Sequence, residues 1–193
     1  IDIMRLKDDD KRQALIRATV KLVNAIGFAS SSVSKIAKEA GVSPSTLYIY
    51  FANKEDLLVS TYMDIKLDLS EAVLLDFDDA RPIRDILRQV WLNSFAFVSK
   101  RPECYAYIEQ FANAPYMDLV DKDALDKLFE PVILVLHRGI EQKILKNVPL
   151  DLMAVFMFPP ISHLAKLKRS CLTSTPETDF DAAFDMLWDA LAI

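Results

Sequence analysis

The sequence predicts an all-α protein of about nine helices, in two units divided near residue 55. Three observations carry that prediction. Apolar residues recur at helical spacing along most of the chain, and no segment sustains the alternation of a half-buried strand. Gly occurs three times, and most of the nine Pro fall between apolar-periodic segments. Of the 193 residues 52% are apolar and 26% charged, a globular balance with enough chain for one sizeable core or two modest ones.

The elements follow in order. Leu15, Ala18, Leu22 and Ile26 mark one face of a first helix, with Asp8, Asp9 and Asp10 suiting its N-terminal end. Gly27 should stop it. After the serines 30–32, a second short helix carries Val33, Ile36, Ala37 and Ala40 and ends at Gly41. Ser43 is the expected cap of a third helix, with Pro44 at its first position, where a missing N–H costs nothing. That helix should end near Ala52. Asn53 caps a fourth, with Asp56 as a shorter stand-in for the capping-box Glu and an inward stripe of Leu58, Thr61, Ile65, Leu69 and Ala72.

Beyond the acidic linker 76–79, residues 83–98 turn apolar nearly all round and read as a central core helix. Helices are expected over 103–112 and 118–129, and another opening at Pro131 with Val132, Leu136, Ile140 and Ile144 inward. Residues 150–169 read as an apolar helix interrupted at Pro159-Pro160. The last helix has the cleanest stripe of the body: Phe180, Ala183, Phe184, Leu187, Trp188 and Leu191.

Two short helices joined by "AGVS" make a helix-turn-helix, whose second helix enters the DNA major groove N-terminus first. Leu47 and Phe51 must face inward, so Ser45, Thr46, Tyr48 and Ile49 face out. Cations come from the flanks, through Lys35 and Lys54. On spacing alone the pair is equally compatible with packing helices that bind no DNA.

The stretch "SSVSKIAKEAGVSPSTLYIYFANKEDLL" resembles the DNA-binding region of the tetracycline-repressor family of bacterial transcriptional regulators. The similarity covers roughly residues 10–65. It implies a head over residues 1–55 and, over 56–193, a helical body that binds a small effector and pairs two copies on an operator. Carried over, the family's DNA contacts fall on Ser32, Ser34, Lys35, Pro44, Ser45, Thr46, Tyr48, Tyr50 and Lys54. One departure is that many members carry a cation and a Gly where this chain has Pro44-Ser45. The basic arm ahead of the first helix is also thin.

Aromatics from Trp91 to Trp188 serve either as core or, as the resemblance implies, partly as cavity lining. The candidates for an effector pocket are Tyr62, Trp91, Asn93, Phe95, His137, Phe156 and His163. Phe180, Phe184, Leu187 and Trp188, with the helix after Leu150, are expected at a homodimer interface. Two readings stay beside the effector-gated repressor: a ligand-independent DNA-binding protein, and a helical enzyme or adaptor.

Charge and composition narrow the classes. The net charge of −5 excludes a surface that binds nucleic acid throughout. Residues 1–60 carry nine Lys/Arg against seven Asp/Glu, so phosphate contact is confined to the head. Cys104 and Cys171 lie far apart with no partner at ligand spacing, so no disulfide or metal site is expected, nor any cofactor. His137 and His163 are expected to be satisfied singly. No catalytic signature stands out. No signal peptide opens the chain, and the apolar run 150–164 is short for a bilayer span, so a cytoplasmic protein away from the membrane is expected. The first residue is Ile, so the chain is expected to begin past a natural start.

Overall fold

The computed structural model describes residues 2–170 and 180–193. Cys171 therefore lies outside the described residues. Among these the protein is all-helical: α1 (Asp2–Ser30), α2 (Val33–Glu39), α3 (Pro44–Tyr50), α4 (Lys54–Val73), α5 (Ile83–Lys100), α6 (Pro102–Ala112), α7 (Lys122–Glu141), α8 (Leu150–Met157), α9 (Pro159–Ser170) and α10 (Phe180–Leu191). A 3-10 turn over Pro115–Leu119 precedes α7. Two compact units result: Ile1–Lys66 with Glu103–Lys122, and Leu67–Pro102 with Asp123–Ile193. The division thus falls inside α4 rather than near residue 55, and α6 returns to the unit that holds the helix-turn-helix.

In the first unit, Leu15, Ile16, Ala18, Ile36, Leu47, Phe51 and Leu57 form a buried cluster. Leu22, Val33 and Val42 pack against it. Ile26, expected on the same face, is 42% exposed, because the cluster gathers around Leu15–Leu22 and the last turn of α1 runs past it. Helical geometry breaks at Gly27 (φ 76°), a left-handed conformation that Gly adopts without steric cost, and one further turn follows. That turn is fastened by Ser31, whose Oγ donates to the Gly27 carbonyl at 2.7 Å.

The turn carries Phe28 into a nest of rings: Tyr107 at 5.6 Å, Phe111 at 5.9 Å and Tyr116 at 5.5 Å between centroids. Tyr62 of α4 stacks on Phe111 at 4.4 Å. The Tyr107 hydroxyl donates to the Leu58 carbonyl at 2.9 Å, and Asn24 reaches the Glu103 carbonyl at 2.8 Å. Helices α1, α4 and α6 are thereby joined by apolar burial and by satisfied polar groups together.

In the second unit α5 is the central helix, with Ile83, Ile86, Leu87, Val90, Trp91, Phe95, Phe97 and Val98 buried. Arg84 pairs with Asp185 at 2.6 Å, Arg88 pairs with Asp181, and Arg84 also lies over the Phe184 and Trp188 rings. The apolar run 150–167 is divided into helices of 8 and 12 residues, because Pro159 and Pro160 cannot supply backbone donors. Each is well short of the ~20 residues that span a bilayer. Met153, Met157, Ile161 and Ala165 turn inward.

Pro131 does not open a helix but sits inside α7, which is continuous from Lys122 to Glu141. Proline removes one hydrogen bond there, and the buried run Val132, Val135, Leu136 and Gly139 holds the helix together across the gap. Ile140 is half-buried, and Ile144 lies beyond the helix, 36% exposed. The chain then hooks back. Leu145 is fully buried against Gly139, and the Lys146 amide and ammonium bond the last carbonyls of α10.

A methyl group at Gly139 would meet Leu145 Cδ1 at 2.5 Å and Cγ at 2.8 Å. Overpacking of this kind costs about 1–3 kcal/mol, against a helix-propensity gain of at most ~1 kcal/mol. Because Leu145 has no exposed space to enter, Gly139→Ala is expected to lower the melting temperature. A melting temperature equal to or above that of the unmodified protein would show that the hook is loose.

Candidate nucleic-acid interface

The helix-turn-helix is set by local chemistry. Ser32 caps α2, its Oγ accepting from the Lys35 amide at 3.4 Å. Gly41 takes φ +70° at the turn, and the Val42 amide closes on the Ala37 carbonyl at 2.9 Å. Ser43 caps α3 by accepting from the Thr46 amide at 3.2 Å, with Pro44 at the first helical position. The Ser43 hydroxyl lies 2.7 Å from that of Ser45 and 2.8 Å from that of Thr46. Leu47 is fully buried and Phe51 nearly so, which turns the opposite side of α3 to solvent.

Ser32, Ser34, Lys35, Pro44, Ser45 and Tyr48 are all exposed, on neighbouring elements of one motif. Thr46 is half-buried, and Tyr50 packs against the head core, which leaves less of its ring outward than the sequence suggested. Ile49, expected to face out but not among the contacts that the resemblance implies, is 75% exposed. The signal was present in the sequence: it follows Tyr48 on the side of α3 away from Leu47.

The two flanking cations are held rather than loose. Lys35 Nζ donates to the Ser30 carbonyl at 3.0 Å, and Lys54 Nζ to the Phe28 carbonyl at 2.8 Å. At the start of α4, Asn53 caps the Asp56 amide at 2.7 Å. Asp56 in turn accepts from the Ala52 amide at 2.8 Å, one residue earlier than a capping box requires. Arg12 grips Asp64 with two bonds, at 2.6 and 3.0 Å, and lies 5.7 Å from the centroid of the Phe51 ring. The bond to Asp64 raises the Arg12 pKa further and outweighs the effect of burial.

Deeper in this unit, burial raises the Tyr62 and Tyr107 hydroxyl pKa values. Tyr105 is pushed up to about 12 by burial and by Glu109. Lys66, whose ammonium lies 5.9 Å from the Tyr62 ring centroid, is lowered by burial to about 8.

The residues expected in an effector pocket are not brought together. Tyr62 stacks in the first unit. Trp91 is 1% exposed, its indole N–H donating to the Met157 carbonyl at 3.1 Å and its ring tilted against Phe184. Asn93 is committed to the Val73 and Leu75 carbonyls, and Phe95 packs on Phe180 at 4.4 Å. Phe156 is 51% exposed, and His137 and His163 are exposed on α7 and α9. A small concavity beside the α4–α5 turn, lined by Val73, Phe77, Arg81, Ile86 and Val90, has room for about one water molecule, far less than a ligand site needs.

The expected interface residues also divide. Phe184 and Leu187 are buried inside their own chain, since α5 covers that face of α10, while Phe180 and Trp188 are half-buried. The apolar side chains left outward on these helices are Leu152, Val155 and Phe156 of α8, Leu167 of α9 and Met186 of α10.

A capped helix-turn-helix on an all-helical body defines the class of helical DNA-binding regulators. Residues 15–61 match the family described as bacterial regulatory proteins, tetR family, and residues 82–192 match the tetracyclin repressor-like C-terminal domain. The chain belongs to the TetR family of transcriptional regulators, which are not enzymes.

A TetR family regulator of Marinobacter aquaeolei VT8 is 34% identical, covers 97% of this chain and 98% of its own, and superimposes with a TM-score of 0.83. An uncharacterised HTH-type transcriptional regulator of Haemophilus influenzae is 30% identical over 58% of this chain and 60% of its own length. The match to the fatty acid metabolism regulator protein of Bacillus subtilis is 34% identical and spans 46% of each chain. The chain thus spans about half the length of these curated relatives. A Bacillus subtilis FadR solved in complex with stearoyl-CoA shares the fold at a TM-score of 0.67 and 21% identity, over 92% of this chain and 95% of its own.

The lowered pKa of Lys66 makes stability pH-dependent. The unfolded chain keeps this proton up to an ordinary value of 10.5, the folded chain only to about 8. Between those values the unfolded state binds more protons, so Lys66 contributes a stability that rises with pH across that window. Urea midpoints at pH 7.5 and 9.5 should show this rise in the unmodified protein and less of it in Lys66→Met. Parallel changes in the two proteins would mean that the burial of Lys66 is not felt.

Proposed function

We propose that this chain is a repressor that binds a two-fold operator as a homodimer, one α3 in each major-groove half-site, and is released by a small apolar effector. The observation that carries the DNA reading is the outward side of α3. It presents Ser45, Tyr48 and Ile49 to solvent with Lys35 and Lys54 at its edges, a group that makes phosphate and base-edge contacts in the major groove. Such a regulator works in the cytoplasm, where its operator is.

A single motif reads too few bases for useful specificity, and pairing by a two-fold axis supplies the second half-site. The outward apolar residues of α8, with Met186 of α10, support a self-complementary face there in place of Phe184 and Leu187. Replacing Val155 and Phe156 with Glu should give monomers that keep their helical circular dichroism, as read by light scattering. Unmodified protein that is monomeric at micromolar concentration would overturn the dimer.

The effector reading rests on the aromatic and aliphatic interior of the second unit. The relative solved with stearoyl-CoA supports a long apolar chain as one candidate, and a flat aromatic cation is the other, since ring faces attract cations. Trp91 is unsuited as a probe, because truncating a buried Trp costs about 3–5 kcal/mol.

The experiment is selection of duplexes from a random pool by the purified protein, followed by salt titration of the retained sequence. Tyr48→Ala should weaken binding without unfolding, and Lys35→Ala should reduce the salt slope by about one unit, as loss of one phosphate contact does. No retained duplex, or unchanged affinity in both variants, would sink the assignment. Release of the duplex by stearoyl-CoA or by a flat aromatic cation, with a raised melting temperature, supports effector gating. Release by neither favours the ligand-independent reading.

A further inference from the structure

The recognition helix α3 reads Pro-Ser-Thr-Leu-Tyr-Ile-Tyr and carries none of the Arg, Lys, Asn or Gln side chains that make bidentate hydrogen bonds to purine edges. Its two hydroxyls nearest the turn are tied to Ser43, which also caps the helix. Leu47 is spent on the head core, and Tyr50 packs against it. What α3 presents outward is therefore Ser45, Tyr48 and Ile49, at i, i+3 and i+4 on one face.

Ile49 stands out among these. It is 75% exposed, more than Tyr48 at 57% or Ile26 at 42%. A single exposed isoleucine on a protein surface needs no explanation. One at the middle of the face that a helix-turn-helix lays into the major groove meets a specific surface. There the only apolar group that a base pair offers is the thymine 5-methyl.

We infer that Ile49 reads a thymine methyl in each operator half-site. The inference rests on the proposed docking of α3 in the major groove and adds the base that it recognises. With no bidentate donor on α3, sequence preference comes from this methyl contact, from the Tyr48 hydroxyl, and from DNA shape. The specificity is modest at each half-site and centred on an A·T pair.

The test replaces thymines one at a time by deoxyuridine in a duplex retained from a random pool. Deoxyuridine keeps the Watson–Crick pair and the O4 acceptor and removes only the methyl. At one thymine per half-site the unmodified protein should lose about fourfold in affinity, the equivalent of ~0.8 kcal/mol for one buried methyl-sized group. Substituting both half-sites should cost roughly fifteenfold on the same basis.

Ile49→Ser should bind more weakly and show no loss at that position, while Ile49→Val, which keeps the branched methyls, should retain most of it. Both variants change an exposed side chain, and equal melting temperatures verify that they fold. Methyl sensitivity absent in the unmodified protein, or fully retained in Ile49→Ser, overturns the inference while leaving DNA binding intact. Failure of the unmodified protein to retain any duplex overturns the DNA-binding reading itself, a distinct result.

Discussion

The placement of the DNA-facing helices depends on how α1 ends. Gly27 turns the chain out of helical geometry, and the next residue, Phe28, is then used at both ends. Its ring enters the nest of Tyr107, Phe111 and Tyr116, and its carbonyl receives the Lys54 ammonium. Each well-placed ring pair is worth about 0.5–1.5 kcal/mol beyond its burial, and a charge-assisted hydrogen bond is stronger than a neutral one. One residue thus fixes the end of α1, the start of α4 and the face of α6. With Arg12 holding Asp64 and the Phe51 ring, α3 is carried on a frame that cannot shift one helix without disturbing the others.

That frame also explains why the chain divides where it does. Apolar burial among α1, α4 and α6 places α6 and the 3-10 turn with the head although they come after α5 in the chain. Helix α4 is continuous from Lys54 to Val73 and contributes to both units. Its first residue holds the Phe28 carbonyl, and its last residues lead into the α4–α5 turn.

What was legible in the sequence was what local chemistry decides. Gly41, Ser43 and Pro44 act within a few residues of themselves, so the turn, the cap and the inward pair Leu47 and Phe51 could be read directly. The break of the 150–169 segment followed from two adjacent prolines for the same reason. Pro131 could not be read that way. One proline inside a long amphipathic helix is tolerated when burial beyond it is large, as at Val132, Val135 and Leu136, and that burial is tertiary. Phe184, Trp91 and Phe156 failed similarly: a stripe of apolar residues announces a buried face without saying which partner buries it. The structure gives Phe184 and Trp91 to their own chain and leaves Phe156 outward.

The distribution of charge completes the argument for how such a head can discriminate. Affinity for DNA is supplied mainly by cations on phosphates, and here those cations sit beside α3 rather than on it. Both are bonded to backbone carbonyls, Lys35 to that of Ser30 and Lys54 to that of Phe28, which fixes where each charge sits. Preorganisation of this kind lowers the entropy lost on binding. It also ties the position of the Lys54 ammonium to the geometry of the Phe28 turn, because a shift of α6 that moved Phe28 would move the carbonyl that holds it.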